Sequence, residues 1–231
     1  MKSKKIFYSE AAFIWGIILL ALGTAFMTKA NFGLSMVVAP AYIVSVKIAE
    51  VIPTFTFGMA EYCLQAALLA MLCTFLKKFR PAYLLSFVTA VIYGIVLDVA
   101  ISFVSFIPYS GITTRIGCFA AGVLLCSAGV AFMLRTYFPP EVYELIVKEV
   151  SNKFGFDVGK VKTAYDTASL ILAIVLSFAC FGPWQFEGIG VGTLICTVVN
   201  GFLIGKCAKL YDSIFDFKDA LRPSCAIKTK K

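Results

Sequence analysis

A seven-residue segment that occurs twice is the feature that most constrains the fold of this chain. Gly23–Lys29 reads GTAFMTK, and Gly129–Arg135 reads GVAFMLR, at an offset of 106 residues. A further phenylalanine follows each copy at the same offset, Phe32 and Phe138. Each segment closes a long apolar run. Internal repeats indicate a fold built from similar units, so the sequence predicts two halves.

The composition is that of a membrane protein. The chain has 231 residues, of which 60% are hydrophobic and 15% charged, with a mean hydropathy of +0.90. A typical soluble domain is about 45–50% apolar and about 25% charged. Long runs without charge point the same way, so a lipid bilayer is the expected environment.

Several chemistries are disfavoured by the residue types. Most of the eight cysteines lie in apolar runs without a C-x-x-C pair, and there is no histidine, the commonest metal ligand. The net charge of +8 is explained by lysines flanking membrane spans rather than by a nucleic-acid partner. No metal or cofactor is predicted, and the chain is not expected to be an enzyme.

The apolar runs predict six spans. The first follows a basic start at residues 1–10 and resembles a signal peptide. It is nevertheless long enough to cross the membrane, and its repeat lies inside the chain. The predicted spans are Ala11–Thr28, Phe55–Leu76, Tyr83–Phe106, Ile116–Leu134, Val161–Phe181 and Ile189–Ala208.

One shorter segment follows the first span of each half. Pro139–Phe154 carries charges between apolar residues at helical spacing, which predicts an amphipathic helix along the interface. Its counterpart Gly33–Val51 is more apolar and could be a span by itself. By the repeat, we expect Gly33–Val51 to be a short interfacial or re-entrant helix.

The distribution of cations predicts the topology. With six spans and a cytoplasmic N-terminus, 18 of the 21 lysines and arginines fall on the cytoplasmic side. Only Lys29, Lys47 and Arg115 fall outside. Cytoplasmic loops of inner-membrane proteins carry such an excess. Both termini, including the basic tail 209–231, are therefore expected in the cytoplasm.

Three spans per half require the second half to be inverted relative to the first. The predicted fold is an all-α membrane protein with one repeat at 11–110 and an inverted repeat at 111–208. Weaker sequence similarities relate Tyr62–Phe75 to Tyr165–Phe178 and Gly94–Leu97 to Gly201–Ile204. Inverted repeats are typical of secondary transporters, with a site near the midplane. The alternative is that duplication only builds a stable membrane body.

Three segments of the second half resemble a known family. Val158–Asp166 (VGKVKTAYD), Gly188–Ile195 (GIGVGTLI) and Gly201–Gly205 (GFLIG) are together similar to the YczE-like family of bacterial integral membrane proteins. The resemblance implies a multi-span protein of the bacterial inner membrane, but no particular activity. The sequence departs from the family at Pro139–Val142 and Ser86–Thr89, which leaves no ligand role to carry over to those turns.

Asp98 is the most prominent ionisable residue within a span. A charged side chain at the centre of a membrane helix costs about 2.5–3.5 kcal/mol, so it is usually paired or functional. Asp98 is either a proton- or cation-coupling carboxylate or a structural partner for a buried group. We expect it to face the interior between the halves, where Asn200, Tyr93 or a cation from the facing half can hydrogen-bond it.

Other polar residues are candidate binding residues, and each has a structural alternative. Glu61 can pair with Lys29 at the outer ends of their helices. Lys162 and Asp166 are four residues apart and can form a local ion pair. Asn200 can join two helices by a hydrogen bond. The full set of candidate substrate- or ion-binding residues is Asp98, Glu61, Lys29, Asn200, Tyr93, Arg135, Asp166 and Lys162.

Two functions of different classes remain open. The first is a small-solute transporter in which the two halves rock around a site near the midplane. The second is a non-transporting membrane partner or regulator whose basic tail docks a protein or anionic lipid. The expected partners are the lipid bilayer, a small-molecule solute and further copies of the chain in a homo-oligomer.

Overall fold

The computed structural model describes residues 5–77, 79–108, 111–156, 158–182 and 188–220. Within these ranges the chain is helical apart from two short strands. The elements are β1 (Lys5–Tyr8), α1 (Ser9–Ala30), α2 (Ala39–Ala49), α3 (Phe57–Leu76), α4 (Pro81–Ser105), α5 (Gly111–Met133), α6 (Val142–Phe154), α7 (Val158–Phe181), α8 (Val191–Ile214) and β2 (Phe215–Lys218).

Five of the described helices are long and apolar enough to cross a membrane. They are α1, α3, α4, α5 and α7. α8 passes the same test if its two segments, which meet at 46°, form one span. The prediction of a helical multi-span membrane protein is therefore confirmed, with five or six candidate spans.

The two strands place the first and last described segments of the chain on one side of the bundle. β1 pairs in parallel with β2, with Lys5 opposite Phe215 and Tyr8 opposite Lys218. We call this the terminal side. The strands lie inside the segments expected to be a simple basic start and a polar tail. The fold is therefore not purely helical, and the basic residues before Lys5 and after Ala220 lie outside the described residues.

Contacts between helix ends show that the long helices alternate in direction. At the opposite side, α1 ends at Asn31, whose backbone is left-handed. The Arg115 guanidinium at the start of α5 donates to the carbonyls of Ala30 and Asn31, both at 2.9 Å. A cation at a helix C-terminus satisfies free carbonyls and the helix dipole. At the terminal side, the Arg135 guanidinium binds the Asp212 carboxylate near the end of α8.

α1 and α5 are antiparallel and pack with their backbones in close approach. A β-carbon at Gly23 would lie 2.7 Å from the carbonyl oxygen of Gly122, and one at Gly129 would lie 2.7 Å from that of Gly16. Only glycine fits at these positions, as in other closely packed membrane helices.

The contacts at this crossing come in pairs related by the repeat offset. Gly16 and Gly122 are 106 residues apart, as are Gly23 and Gly129. A β-carbon at Gly16 would meet Met133 at 2.7 Å, and one at Gly122 would meet Met27 at 2.6 Å. Met27 and Met133 are also separated by 106 residues. Each of these glycine contacts of α1 on α5 thus has a counterpart of α5 on α1.

The two short helices follow the first long helix of each half, as predicted. α2 has 11 residues and α6 has 13. At 1.5 Å per residue each covers about 16–20 Å, which is less than the bilayer core of about 30 Å. α2 packs on α3 and α7, and α6 packs on α7, α3 and α4.

α6 lies beside α3 and runs in the same direction. Its C-terminal end is at the terminal side, where the Lys153 ammonium donates to the Phe75 carbonyl at 3.1 Å. Its first residue lies against Gln65, since the Val142 N–H donates to the Gln65 side chain at 3.0 Å. Gln65 lies 11 residues before the end of α3, a rise of about 16 Å. α6 therefore reaches deep into the bundle, rather than lying flat across its end.

The close α1–α5 crossing predicts a sharp difference between two glycine substitutions. Gly23→Ala forces the added carbon to within 2.6 Å of the Cys126 backbone nitrogen, so the helices must separate. Overpacking of this kind costs about 1–3 kcal/mol. We expect a clearly lower melting temperature for the purified variant. The control is Gly117→Ala on α5, where nothing lies within 4 Å of the added carbon. Equal melting temperatures for both variants would contradict this packing.

Candidate functional site

A pair of buried carboxylates lies where the start of α6 meets α3. Glu61 and Gln65 are four residues apart on α3, and therefore project from the same face. Glu141 and Tyr143 come from the first residues of α6 and the loop before it. Glu61 and Gln65 are 0% exposed, Tyr143 is 4% exposed and Glu141 is 7% exposed. The site is thus built by both halves of the chain.

The Gln65 amide connects the two carboxylates. Its Nε2 donates to Glu61 Oε1 at 3.4 Å and to Glu141 Oε2 at 3.2 Å. Its Oε1 accepts the first backbone N–H of α6, from Val142. The Tyr143 hydroxyl donates to Glu61 Oε1 at 2.8 Å. Gln65 therefore uses both its donors and its acceptor within the site.

One oxygen of each carboxylate lacks a hydrogen-bond partner among the described residues. These atoms are Glu61 Oε2 and Glu141 Oε1, and both are inaccessible to solvent. A buried unpartnered oxygen is costly, and two neighbouring carboxylates disfavour simultaneous ionisation. The arrangement is suited to binding a proton or another small cation.

Burial raises the pKa of Glu141 from 4.5 to about 7. The hydrogen bond from Gln65 lowers this pKa and the charge of Glu144 raises it, while Lys162 lowers it. Burial dominates because the charged form loses its hydration. Glu141 can therefore change its charge near neutral pH, in a chain without histidine.

A charged cluster continues from this site toward the terminal side. Glu144, one turn after Glu141, accepts a hydrogen bond from the Lys162 ammonium at 2.8 Å. The same ammonium lies 3.4 Å from the Asp166 carboxylate. No group of three or more Cys, Asp or Glu side chains in the described ranges has the arrangement of a metal site.

Comparison with known proteins identifies the family of the chain. Residues 7–209 match the family of unknown function DUF6198. The chain belongs to this family. Over 194 residues, covering 82% of this chain and 87% of the relative, the DUF6198 protein is 28% identical to Uncharacterized protein YyaS of Bacillus subtilis (strain 168). No solved structure matches this chain. The family resemblance found in the sequence is thereby confirmed.

Asp98 of this DUF6198 protein caps a helix. Its carboxylate accepts hydrogen bonds from the Thr56 hydroxyl at 2.6 Å and the Gly58 N–H at 2.8 Å, at the start of α3. A carboxylate there satisfies free N–H groups and the positive end of the dipole. The partners expected from the sequence, Tyr93 and Asn200, do not bond Asp98, and both observed partners belong to the first half rather than to the facing half.

Tyr93 and Asn200 each join two long helices. The Tyr93 hydroxyl is 3.0 Å from that of Thr24, between α4 and α1. The Ser127 hydroxyl donates to Asn200 Oδ1 at 3.5 Å, between α5 and α8. These contacts are of the helix-joining type proposed for Asn200 from the sequence.

The remaining predicted residues divide between the two ends of the bundle. Lys29 donates to the Ser105 carbonyl at 3.3 Å, whereas Glu61 bonds to Tyr143 and Gln65, so the expected Lys29–Glu61 pair is not formed. Lys162 and Asp166 form the expected ion pair on α7. Arg135 pairs with Asp212 at the terminal side.

The sequence interpretation included Glu61 but missed Gln65, Glu141 and Tyr143. The charge pattern of Pro139–Phe154 predicts that Glu141 is one of the surface charges of an interfacial helix. One signal was present: Glu141 follows Pro139 and Pro140 directly and precedes the apolar Val142, so it marks the start of the helix rather than its polar face. The direction of this first turn of α6, into the bundle, depends on tertiary packing.

The raised pKa of Glu141 predicts that folding stability depends on pH. The folded protein retains the proton between about pH 4.5 and 7, whereas the unfolded chain has lost it. Stability therefore falls as the pH rises through this window, by on the order of 3 kcal/mol. Melting temperatures of purified protein between pH 5 and 8 measure the effect.

Glu141→Gln should reduce the slope of this profile, because glutamine keeps the shape without titrating. The matched control is Glu149→Gln on the same helix, where the carboxylate binds Arg80 at 3.5 Å. The control should retain the wild-type slope. A wild-type slope in Glu141→Gln would show that another group is responsible.

Proposed function

We propose that this DUF6198 protein is a small-solute transporter of the inverted-repeat type, with a binding site between its halves near the midplane. No catalytic step is part of this proposal. The buried polar site formed jointly by Glu61 and Gln65 of the first half and Glu141 and Tyr143 of the second is the observation that carries it. Buried polar residues of this kind in membrane bundles are usually functional.

The pairing of helices supports the inverted repeat. In the inverted repeat, α1 corresponds to α5, α2 to α6, α3 to α7 and α4 to α8. α1 packs on α4 as α5 packs on α8, and α2 packs on α7 as α6 packs on α3, although the packing of α3 on α4 has no comparable counterpart between α7 and α8 in the described residues. Since α1 and α5 correspond to each other and are antiparallel, the axis relating them must be perpendicular to their length. That is an axis in the membrane plane, as in many secondary transporters.

The two short helices support a site between the halves. Lys47 of α2 lies over the Phe181 ring at the opposite-side end of α7, and Lys153 of α6 lies over the Phe75 ring at the terminal-side end of α3. Lys47 and Lys153 are 106 residues apart. We infer that α2 and α6 are re-entrant from opposite sides with their N-termini inward. Inward half-helix N-termini form substrate sites in transporters.

The cation distribution supports an orientation in the membrane. We propose that the terminal side is cytoplasmic, which places both termini there, in the plasma or inner membrane. Self-association into a homo-oligomer is compatible with this arrangement, because many apolar side chains on the long helices face outward.

A reversible cross-link between the halves tests transport. On the opposite side, Thr197 of α8 lies 3.8 Å from Met36 in the loop before α2, measured between side-chain oxygen and sulfur. In a background lacking native cysteines, a Met36→Cys/Thr197→Cys pair closed by a short bifunctional reagent should block solute uptake, and reduction should restore it. Uptake is measured in proteoliposomes with a panel of amino acids, carboxylates, sugars and nucleosides under a pH gradient.

The control cross-link stays within the first half. Tyr42 and Phe57, whose ring centroids are 5.3 Å apart, supply the pair Tyr42→Cys/Phe57→Cys. Uptake should survive this link. Absence of uptake of every solute by the unlinked protein, beside an active carrier reconstituted in parallel, would contradict the transport proposal and favour the non-transporting partner role.

Side-specific labelling tests the orientation. In the same background, a cysteine replacing Lys218 in β2 should react with an impermeant thiol reagent only after cells are opened. A cysteine replacing Val51, after α2 on the opposite side, should react in intact cells. Val51 is 82% exposed, so access does not limit its reaction. The reverse labelling pattern would invert the proposed orientation.

A further inference from the structure

We infer that Glu61 and Glu141 together form a proton-binding site that exchanges its proton with the terminal side along the groove between α6 and α7. This inference rests on the proposed transport function, to which it adds the coupling ion and its route. It starts from the two unpartnered oxygens, one on each carboxylate, both inaccessible to solvent.

The geometry favours a shared proton. Glu61 and Glu141 are both hydrogen-bonded to Gln65 Nε2, which brings their carboxylates to the same small volume. The donors in contact with them, Gln65 and Tyr143, are neutral and compensate no charge. Uptake of one proton forms one O–H bond on an unpartnered oxygen and removes one buried negative charge. Release breaks that bond and returns the proton to water, with no electron transfer.

The ligand count disfavours a divalent metal. Two unpartnered carboxylate oxygens are available, whereas Mg²⁺ and Ca²⁺ take six or more oxygen ligands. The surrounding hydroxyls are already engaged: Tyr143 bonds Glu61, and Tyr93 bonds Thr24. A monovalent cation such as Na⁺ is the competing occupant, and the experiment below separates it from the proton.

The groove between α6 and α7 supplies polar groups between the site and solvent. Glu144 lies one turn along α6 from Glu141, and its carboxylate is bonded to Lys162. Lys162 in turn contacts Asp166. These three side chains are 39%, 33% and 21% exposed, whereas Glu61 is 0% and Glu141 7% exposed. Toward α1 and α4, by contrast, the site faces the hydroxyls of Thr24 and Tyr93, which are 3% and 1% exposed.

Titratable groups on every neighbouring helix act on this pair. Those within electrostatic range of Glu61 or Glu141 are Tyr143 and Glu144 on α6, Tyr93 on α4, Cys126 on α5, and Tyr165 and Lys162 on α7. Lys162 is the only cation among these described residues. It is already paired with two carboxylates, so it does not neutralise the buried pair.

Infrared titration of the protein without any solute tests the inference. Purified protein in lipid nanodiscs is titrated in D₂O, and the C=O stretch of protonated carboxylic acids is followed. We expect a band that disappears as the pH rises through the neutral range. Glu61→Gln and Glu141→Gln should each shift the midpoint of this band, the double variant should abolish it, and Glu149→Gln should leave it unchanged.

A variant at a partly exposed position keeps the inference testable if the buried substitutions impair folding. Glu144→Gln changes a partly exposed carboxylate whose negative charge acts on Glu141. Removing that charge should shift the titration midpoint to lower pH by about one unit. It should also slow proton uptake from the terminal side after a pH jump by about tenfold, if the groove is the route.

The outcomes separate this inference from the transport proposal. A missing band, a band unchanged in both buried variants, or a band displaced by Na⁺ at constant pH would overturn the proton site. An unchanged midpoint and rate in Glu144→Gln would overturn the route. A titrating band in a protein that moves no solute would leave the proton site intact and reject transport. Solute uptake unaffected by Glu141→Gln would leave transport intact and reject the proton as its coupling ion.

Discussion

The close contact between α1 and α5 is the constraint on which the rest of the structure depends. Gly16 and Gly23 on one helix lie against Gly129 and Gly122 on the other, so the two backbones meet without intervening side chains. In lipid, helix association depends on such packing because the hydrophobic effect no longer favours one helix face over another. Once the first helices of the two halves are joined in this way, α4 packs on α1 and α8 packs on α5.

The same crossing determines where the short helices can go. Because α1 and α5 are antiparallel, α2 and α6 start from opposite sides and each meets a long helix of the other half, α7 and α3 respectively. α6 consequently carries Glu141 and Tyr143 to Glu61 and Gln65. A membrane interior offers no water to polar groups, so each of these side chains bonds to another. One oxygen of each carboxylate is left without a partner among the described residues.

Polar residues in the bundle fall into two physical classes. Asp98, Tyr93 and Asn200 lie at contacts between long helices, and their hydrogen bonds are those of a cap or an interhelical contact. Glu61 and Glu141 differ because their neighbours leave an oxygen of each unpartnered. A satisfied polar group stabilises a fold, whereas an unsatisfied buried one costs stability and needs a physical explanation. This distinction cannot be made from residue type.

The sequence by itself determined the membrane character, the long helices and the position of the short ones. These follow from local properties: apolar run length, helical spacing and the offset of 106 residues. It also identified Glu61 as a candidate, because a charge in an apolar run is costly wherever the helix packs.

Only the tertiary structure decided which polar groups meet. Glu61 and Glu141 are 80 residues apart in the chain, and no periodicity links them. Glu141 resembles the other charges of its segment until α6 is seen to point its first turn at α3. The pairing of β1 with β2 likewise joins the two ends of the chain. Contacts of this kind depend on how helices pack in three dimensions, since the local pattern sets only the face that each side chain occupies.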